Sequence, residues 1–429
     1  MKNLLFGLRM NLKPWLRLLF LFLAIIFTII SACSTPIKGV GKATGRLSGL
    51  KPADSLSSEF LEGYNAFTSD LLTTLYAKDK NTFLSPAGLY IALGMTSNGA
   101  DGNTLTQMLD AMGIPDAETL NKGCRDLQSL LSGNPKKYFR ISNAIWLKDS
   151  YKNIIKQDFI SKNEEYYGAL LAARPFDDSL IPAINKWAEK NSDGMIKQVL
   201  APPLDPDVFM YLTNALLFDG KWEMKFKKGD TRDGVFHGSK GDITIPMMHR
   251  KDKEKGYWYE DDTVQATLLD YQDKRTAMLI ALPKDNLDSL MAEMTPDTIP
   301  GWLDKIVDCG GMSVTLPRFS LTYKQEMTDT LRSLGITDAF DETAADFGRM
   351  VDSNQLKGPI IISKVTHQTA LEVDESGTRA AAVSLFSFAN KSAAGYSMVV
   401  DRPFLCAIVD KPTGAVLFAG TISDPKKLD

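Results

Sequence analysis

Apolar residues recur at helical spacing at the start of the main body of the chain. Between Ser57 and Tyr76 they fall three and four residues apart, which predicts an amphipathic helix. Residues 81–94 predict a turn into a buried helix, with Ser85 as its cap and Pro86 in its first turn. Residues 184–200 show helical spacing again. Residues 139–148 predict a strand.

From about residue 208 onward, short β-rich runs dominate. They predict strands over residues 209–218, 264–269, 277–283, 313–317, 360–365 and within 405–422, with a helix over 323–334. Helices concentrated early and strands late indicate an α+β fold rather than alternating βαβ units. No internal repeat or long linker divides residues 56–429, so we expect one large domain there.

Composition and charge exclude some function classes. The chain of 429 residues is 44% hydrophobic and 24% charged, as in soluble globular proteins. A net charge of −3 and the absence of a basic stripe give no reason to expect nucleic acid. After Cys33 there remain Cys124, Cys309 and Cys406, an odd number without paired spacing, which we interpret as buried thiols rather than a disulfide framework. Only three histidines exist and none clusters with a cysteine, so we expect no metal or cofactor.

Residues 1–33 have the pattern of a bacterial lipoprotein signal peptide. A basic start precedes an apolar stretch over residues 18–30, which is short for a membrane span but suits a signal peptide. It ends in Ile30-Ser31-Ala32-Cys33, which resembles a lipobox with Cys33 as the lipidated residue. The alternative is a plain membrane anchor with a chance cysteine, and Met10 is an alternative start.

Residues 34–55, rich in glycine and serine, predict a flexible tether. We therefore expect a protein of the bacterial cell envelope that meets the membrane only through a lipid anchor. No acidic cluster follows Cys33, and the membrane face that the protein reaches stays open.

The most informative stretch runs from Lys364 to Phe404. A glycine, Gly377, opens a run of small residues that ends at Lys391-Ser392, and Arg402-Pro403-Phe404 follows. This order resembles the hinge and reactive loop of the serpins, suicide inhibitors of proteases. The resemblance extends over residues 57–425 through short strings in the right order, among them NTFLSP at 81–86, GADGNT at 99–104, TNALLFDGKW at 213–222, LPRF at 316–319, LGI at 334–336 and ADF at 345–347.

The resemblance implies a serpin-like α+β fold, in which helices surround a large central mixed β-sheet plus smaller sheets, with an exposed reactive loop at about residues 375–400. It matches Ser85, Asn214 and His367 to the shutter, a polar cluster beneath the point where the central sheet opens. It matches Trp222 to the breach at the top of that sheet. Gly88 departs from the family, which usually has a second small polar shutter residue there. The alternative for His367 is a core histidine without a role in opening.

The hinge sequence favours insertion of the loop into the sheet. Its residues are Glu375, Gly377, Thr378, Ala380, Ala381 and Ala382. Side chains alternate along a strand, so the face that begins with Thr378 and Ala380 is small and uncharged and can be buried. Arg379 departs from the usual glutamate of the family but falls on the opposite face. No proline occurs between Gly377 and Ser392, so every backbone N–H can join the sheet. Gly377 itself offers the flexibility for a reversal of direction.

Family spacing implies Lys391 as the bait residue, with Ser392 on the leaving side. A lysine fits the specificity pocket of a trypsin-like serine protease. If Lys391 is an ordinary loop lysine, Phe386 or Phe388 offers a bond to chymotrypsin-like enzymes, and cysteine proteases are a further option. We expect a monomeric protease inhibitor rather than an enzyme, since no Gly-x-Ser-x-Gly elbow with placed partners occurs. The alternative is a non-inhibitory binding protein with the same fold.

Overall fold

A computed structural model describes residues 55–133, 136, 138–205, 208–352, 358–378 and 395–428. The helices in these ranges are α1 Ser58–Leu75, α2 Pro86–Ser97, α3 Gly102–Ala111, α4 Ala117–Ser132, α5 Gln157–Tyr167, α6 Leu180–Asn191, α7 Leu287–Ala292, α8 Thr298–Lys305 and α9 Thr328–Ser333. Within the same ranges, no helix is both long and apolar enough to cross a membrane. The predicted signal peptide, residues 1–33, and the predicted tether up to residue 54 lie outside the described residues.

The strands form four sheets. They are β1 Phe139–Lys148, β2 Leu170–Arg174, β3 Met210–Phe218, β4 Gly220–Lys221, β5 Arg232–Gly238, β6 Gly241–Lys251, β7 Tyr257–Glu260, β8 Val264–Asp270, β9 Thr276–Pro283, β10 Val307–Asp308, β11 Met312–Pro317, β12 Phe319–Glu326, β13 Thr366–Val373, β14 Gly377–Thr378, β15 Tyr396–Val399, β16 Phe404–Asp410, β17 Ala415–Ile422 and β18 Lys426–Lys427. Their orders are β2-β1-β3, β18-β12-β13-β14-β4, β15-β11-β6-β5 and β10-β7-β8-β9-β16-β17. This arrangement confirms the α+β expectation.

The core lies between the early helices and the sheets. Helix α1 buries Phe60, Tyr64 and Phe67 completely, and α2 is buried along almost its whole length. Strands β9, β16 and β17 are buried at every position, which explains their near-continuous apolar sequences. A second, smaller apolar cluster holds α6 on the outer side of β1, where Trp146 contacts Trp187 edge to face.

The structure confirms most of the predicted elements and corrects three. The helix predicted over 184–200 spans Leu180–Asn191, because Asp193 and Gly194 take left-handed backbone conformations just beyond its end. In the helix predicted over 323–334, residues 323–326 belong instead to strand β12, which pairs with β13 over eight residues, and only Thr328–Ser333 is helical. The strand predicted over 360–365 begins instead at Thr366.

Candidate functional site

Strands β3 and β13 lie on the two sides of an open cleft. Each belongs to a different sheet, and within the described residues no strand pairing joins them directly. The cleft is lined by Leu216 and Leu217 of β3, by Ala370 and Leu371 of β13, and by Phe83 and Phe418. Facing strand edges carry N–H and C=O groups that another strand can pair with. The cleft is therefore shaped to accept one further strand.

Strand β14 already stands at one end of this cleft. Thr378 pairs in antiparallel fashion with Val373 of β13 on one side and with Gly220 of β4 on the other. The Thr378 side chain is buried, and its hydroxyl lies 2.6 Å from the Tyr271 hydroxyl oxygen. Burial raises the pKa of Tyr271 well above its usual value, so the phenol stays protonated and can serve in this hydrogen bond. Thr378 therefore occupies the place between β13 and β4 at this end of the cleft.

Asp374 makes the turn that reverses the chain ahead of β14. Its carboxylate accepts hydrogen bonds from the backbone N–H groups of Ser376 and Gly377, and its own N–H donates to the Gly377 carbonyl at 3.0 Å. Gly377 does not have a left-handed φ. It is needed for another reason, because a Cβ there would lie 2.1 Å from the Gly220 carbonyl oxygen. The Asp374 side chain, rather than the expected flexibility of Gly377, supplies the reversal of the chain.

Glu375, the first predicted hinge residue, is buried at this turn and is 4% exposed. Its Oε1 accepts a hydrogen bond from the Thr231 hydroxyl at 2.8 Å. Its Oε2 lies 3.8 Å from Arg318 Nε, which is close enough for charge attraction but too long for a hydrogen bond. The Glu375 carbonyl accepts from the Phe226 N–H at 3.0 Å. The turn is thus bound to the segment that follows β4.

Trp222 fixes the same turn from below. Its indole is fully buried and stacks on Tyr271, with the ring centroids 4.7 Å apart and 10° between the planes. The indole N–H donates to the Asp374 carbonyl at 2.8 Å, and the Trp222 backbone N–H donates to the Ser376 carbonyl at 3.0 Å. A buried indole N–H needs such a partner. Trp222 therefore ties the end of the cleft to the hinge turn.

Ser85 and His367 meet beneath the cleft. The Ser85 N–H donates to His367 Nε2 at 3.0 Å, and the Ser85 hydroxyl donates to the Leu417 carbonyl at 2.9 Å while accepting from the Gly88 N–H. The last bond caps helix α2. Although His367 retains some accessible surface, protein atoms surround its imidazole, and this desolvation lowers its pKa to about 4.

Asn214 connects this cluster to a buried network that sequence reasoning missed. Its side chain lies beside Gly88, where a Cβ would come within 2.7 Å of its Oδ1. Its Nδ2 donates to Asn143 Oδ1 at 2.8 Å, and Asn143 donates in turn to Gln128 Oε1 and to the Tyr167 carbonyl. Asn143, with Ser142 beside it, interrupts the apolar sequence of a predicted strand, and that interruption was the available signal.

Several predicted site residues lie outside the described residues. They are Cys33, Ala380, Ala381, Ala382, Lys391 and Ser392. On the far side of the loop the described chain resumes at Gly395 and enters β15 at Tyr396. Cys124 and Cys406 are buried free thiols, as expected, whereas Cys309 is only half-buried. The described ranges contain no group of three or more side chains suited to hold a metal ion.

Comparison with known proteins identifies the family. The family model described as "Serpin (serine protease inhibitor)" matches residues 62–425. An uncharacterized serpin-like protein of Thermococcus kodakarensis is 29% identical over 375 residues, which cover 84% of this chain and 85% of that protein. The leukocyte elastase inhibitor of Equus caballus is 29% identical over 384 residues, covering 84% and 97%.

The crystal structure of the thermophilic serpin tengpin in its native state has a similar fold. It superposes with a TM-score of 0.79 and 28% identity, and the match covers 90% of this chain and 99% of that one. Serpins are protease inhibitors and not enzymes, and the family description gives serine proteases as the targets. The family model matches residues 62–425, and the similar sequences and the similar structure agree with it. This chain therefore belongs to the serpin family.

Proposed function

We propose that this serpin is a suicide inhibitor of trypsin-like serine proteases that uses Lys391-Ser392 as its reactive bond. The observation that carries the proposal is the position of Thr378, the first residue of the predicted inserting face, between β13 and β4 at one end of an open cleft. Family membership supports inhibition in general. The choice of Lys391 as the bait residue, and of its bond to Ser392 as the reactive bond, rests on the sequence.

The register of β14 favours continued insertion of this particular loop. Each further residue would pair with one residue earlier on β13, so Ala380 would face Leu371 and Ala382 would face Thr369, both buried positions. Small side chains suit these places. On the same count Ser384 would arrive between His367 and Asn214, where a hydroxyl can join the polar cluster. Polar and small positions of the loop therefore match the two walls of the cleft.

The chemistry is an interrupted acyl transfer. The catalytic serine of the protease attacks the Lys391 carbonyl, the bond to Ser392 breaks, and Ser392 leaves with a free amino group while Lys391 stays esterified to the protease. The loop then inserts and carries the protease with it. Fourteen residues from Thr378 to Lys391 reach ~45 Å as an extended strand at ~3.3 Å per residue. Deformation of the protease before water hydrolyses the ester completes the trap.

We also propose that Cys33 anchors the protein to the bacterial cell envelope through a lipid, with residues 34–55 as the tether. The support is the basic and apolar pattern of residues 1–33 and the small residues before the cysteine. Metabolic labelling with a palmitate analogue in the native host would test it. A Cys33→Ala variant that still carries label would contradict lipidation at this residue.

The inhibitor proposal is tested by mixing the purified protein with trypsin and analysing the products by denaturing gel and mass spectrometry. A complex that survives denaturation, together with a fragment beginning at Ser392, is the expected result. Lys391→Ala is the matched variant and should lose the complex with trypsin. Cleavage without a complex would favour the non-inhibitory alternative. A complex with chymotrypsin but not with trypsin, together with a fragment that begins after Phe386 or Phe388, would move the bait to that phenylalanine.

A further inference from the structure

The hinge turn rests on a short stretch of chain that follows β4, residues 222–226, which we call the wall segment. The backbone N–H of Trp222 donates to the Ser376 carbonyl, and that of Phe226 donates to the Glu375 carbonyl, each at 3.0 Å. Strand β4, which leads into the wall segment, pairs with β14. A shift of the wall segment would therefore move one side of the place that β14 occupies.

Lys255, in the turn after β6, ties the wall segment to the end of β8. Its Nζ lies 2.6 Å from Glu223 Oε2 and 2.8 Å from Asp270 Oδ2. The Glu223 backbone N–H also donates to the Asp270 carbonyl at 2.8 Å. Asp270 is the last residue of β8 and is only 5% exposed, so its side chain is a fixed point of the core. Lys255 thus links a partly exposed carboxylate of the wall segment to a buried one.

The loss of Lys255 would affect its two partners differently. Asp270 would keep a cation, because Lys411 Nζ lies 2.6 Å from its other oxygen, Oδ1. Glu223 has no second lysine or arginine nitrogen within 4 Å among the described residues. Removing Lys255 would therefore free the wall segment without leaving an unpaired buried charge at Asp270.

Arg250 holds the other end of the wall segment. Its guanidinium lies 5.0 Å from the centroid of the Phe226 ring and donates a hydrogen bond to the Met224 carbonyl. A cation over an aromatic ring is itself attractive. Because these contacts do not involve Lys255, a variant at Lys255 should loosen the Glu223 end while the rest of the segment stays in place.

We propose that Lys255 is a positioning residue for loop insertion, which keeps the wall segment where an entering strand can pair with it. Neighbouring strands lie ~4.8 Å apart, so a wall that drifts loses the hydrogen bonds of the sheet. Insertion competes with hydrolysis of the acyl-enzyme, and a loose wall slows insertion only. This inference rests on the proposed function. Lys255 acts through Glu223, and its role requires no contact with the protease.

The fate of the cleaved inhibitor tests this role. The readout is the number of inhibitor molecules that are cleaved without trapping, for each trypsin molecule trapped. Lys255→Met should raise this number about fivefold, the effect of losing one partly exposed ion pair. The total rate of loop cleavage should not change, because Lys255 acts after the cut. Lys255→Arg keeps the cation and should behave as the wild type. An unchanged or lower number in Lys255→Met, or an equal rise in Lys255→Arg, would overturn the proposal.

Two controls separate positioning from a general loss of stability. Lys284→Met removes an ion pair to Glu260 at 2.9 Å, and Lys284 is 36% exposed against 39% for Lys255. Gln107→Ala removes side-chain hydrogen bonds to Thr337 and Asp338, which do not line the cleft. Both variants should leave the number unchanged. A rise in either control as large as that in Lys255→Met would show that the number follows overall stability, and the role of Lys255 would be refuted.

A second readout does not depend on trapping. The loop is cut by an excess of any protease whose cleavage between residues 386 and 392 is verified by mass spectrometry, and tryptophan fluorescence is followed by stopped flow. The rate reached at saturating protease reports insertion, and it should be lower in Lys255→Met and restored in Lys255→Arg. If the wild type traps no trypsin but this pattern appears, the proposed inhibition of trypsin fails and the role of Lys255 stands. Equal rates in all three proteins, or no such phase in the wild type, would overturn that role.

Discussion

The backbone N–H of Ser85 donates a hydrogen bond to Nε2 of His367 at 3.0 Å, across the boundary between helix α2 and strand β13. An imidazole nitrogen that accepts a hydrogen bond carries no proton, so His367 is neutral with its proton on Nδ1. The same residue is desolvated, and its pKa is lowered to about 4. Protonation of His367 would therefore both bury a charge and break its bond to Ser85.

The first prediction is that acid weakens the fold through His367. The pKa of this histidine is about 4 when folded, against ~6.5 when unfolded, so between these pH values the unfolded state binds more protons. The contribution of neutral His367 to the free energy of unfolding is fully present above pH ~6.5. It is lost progressively as the pH falls toward 4, by roughly 3 kcal/mol in total. Urea unfolding of the wild type and of His367→Gln across this range would measure it.

Comparison with the variant isolates the histidine from the carboxylates, which titrate in both proteins. The difference in the free energy of unfolding between wild type and His367→Gln should shrink as the pH falls from 6.5 to 4. A difference that stays constant over this range would show that His367 titrates alike in both states, and the prediction would be wrong.

The second prediction concerns Gly88, where the family usually has a small polar residue. A Cβ at this position would lie 2.7 Å from Asn214 Oδ1 and 3.3 Å from Ser85 Oγ. Alanine in a helix gains ~0.5–1 kcal/mol over glycine, but displacing Asn214 weakens its hydrogen bond to Asn143. We expect Gly88→Ala to lower the free energy of unfolding by about 1 kcal/mol overall.

A double-mutant cycle checks the cause of that loss. Once Asn214→Ala removes the crowded side chain, Gly88→Ala should cost less than it does in the wild type. Gly301→Ala is the matched control, since a Cβ there meets nothing within 4 Å. An equal cost of Gly88→Ala in both backgrounds would contradict crowding by Asn214.

The third prediction concerns the buried carboxylate of Glu375. Arg318 is the cation that faces it, with Nε 3.8 Å from Oε2, and Arg318→Met would leave this charge uncompensated in the protein. Breaking a buried pair is strongly destabilising, but Arg318 is 30% exposed, so we expect a loss of ~2 kcal/mol. Adding Glu375→Gln removes the charge, keeps an acceptor for Thr231 and should recover most of that loss. Urea unfolding of the wild type and of these two variants measures the loss and its recovery, and a double variant as unstable as Arg318→Met would refute the electrostatic cause.

The sequence was sufficient for elements whose local pattern and tertiary environment agree. The helix signals around Ser85 and Pro86 and the strand over Phe139–Lys148 are examples. Prediction failed where pairing with a distant strand decided between helix and strand. Residues 323–326, predicted as helix, belong to strand β12 because β13 offers that strand eight partners. The paired positions are 40 to 54 residues apart, so no local window contains both.

In the candidate site, too, some residues could be predicted from the sequence and others become apparent only from tertiary contacts. The resemblance pointed to Ser85, Asn214, His367 and Trp222, and the structure brings Ser85 to His367 and Trp222 to the hinge turn. It could not indicate Asn143, because the partners of a buried amide become visible only when strand and helix pack. Nor did it identify Asp374 as the source of the turn, since an aspartate before a glycine is common in loops.

The last prediction follows from the close approach of Gly377 and Gly220. In Gly377→Ala the new Cβ would overlap the Gly220 carbonyl oxygen at 2.1 Å, so β14 could not pair with β4 as it does now. Overpacking of this kind costs ~1–3 kcal/mol. We expect this cost to slow the first step of loop insertion. The number of inhibitor molecules that are cleaved without trapping, for each trypsin molecule trapped, should therefore rise about tenfold, the equivalent of ~1.4 kcal/mol. Gly301→Ala should leave that number unchanged, because it adds the same methyl group far from any neighbouring atom. A Gly377→Ala protein that traps trypsin as efficiently as the wild type would show that contact between β14 and β4 is not required for insertion.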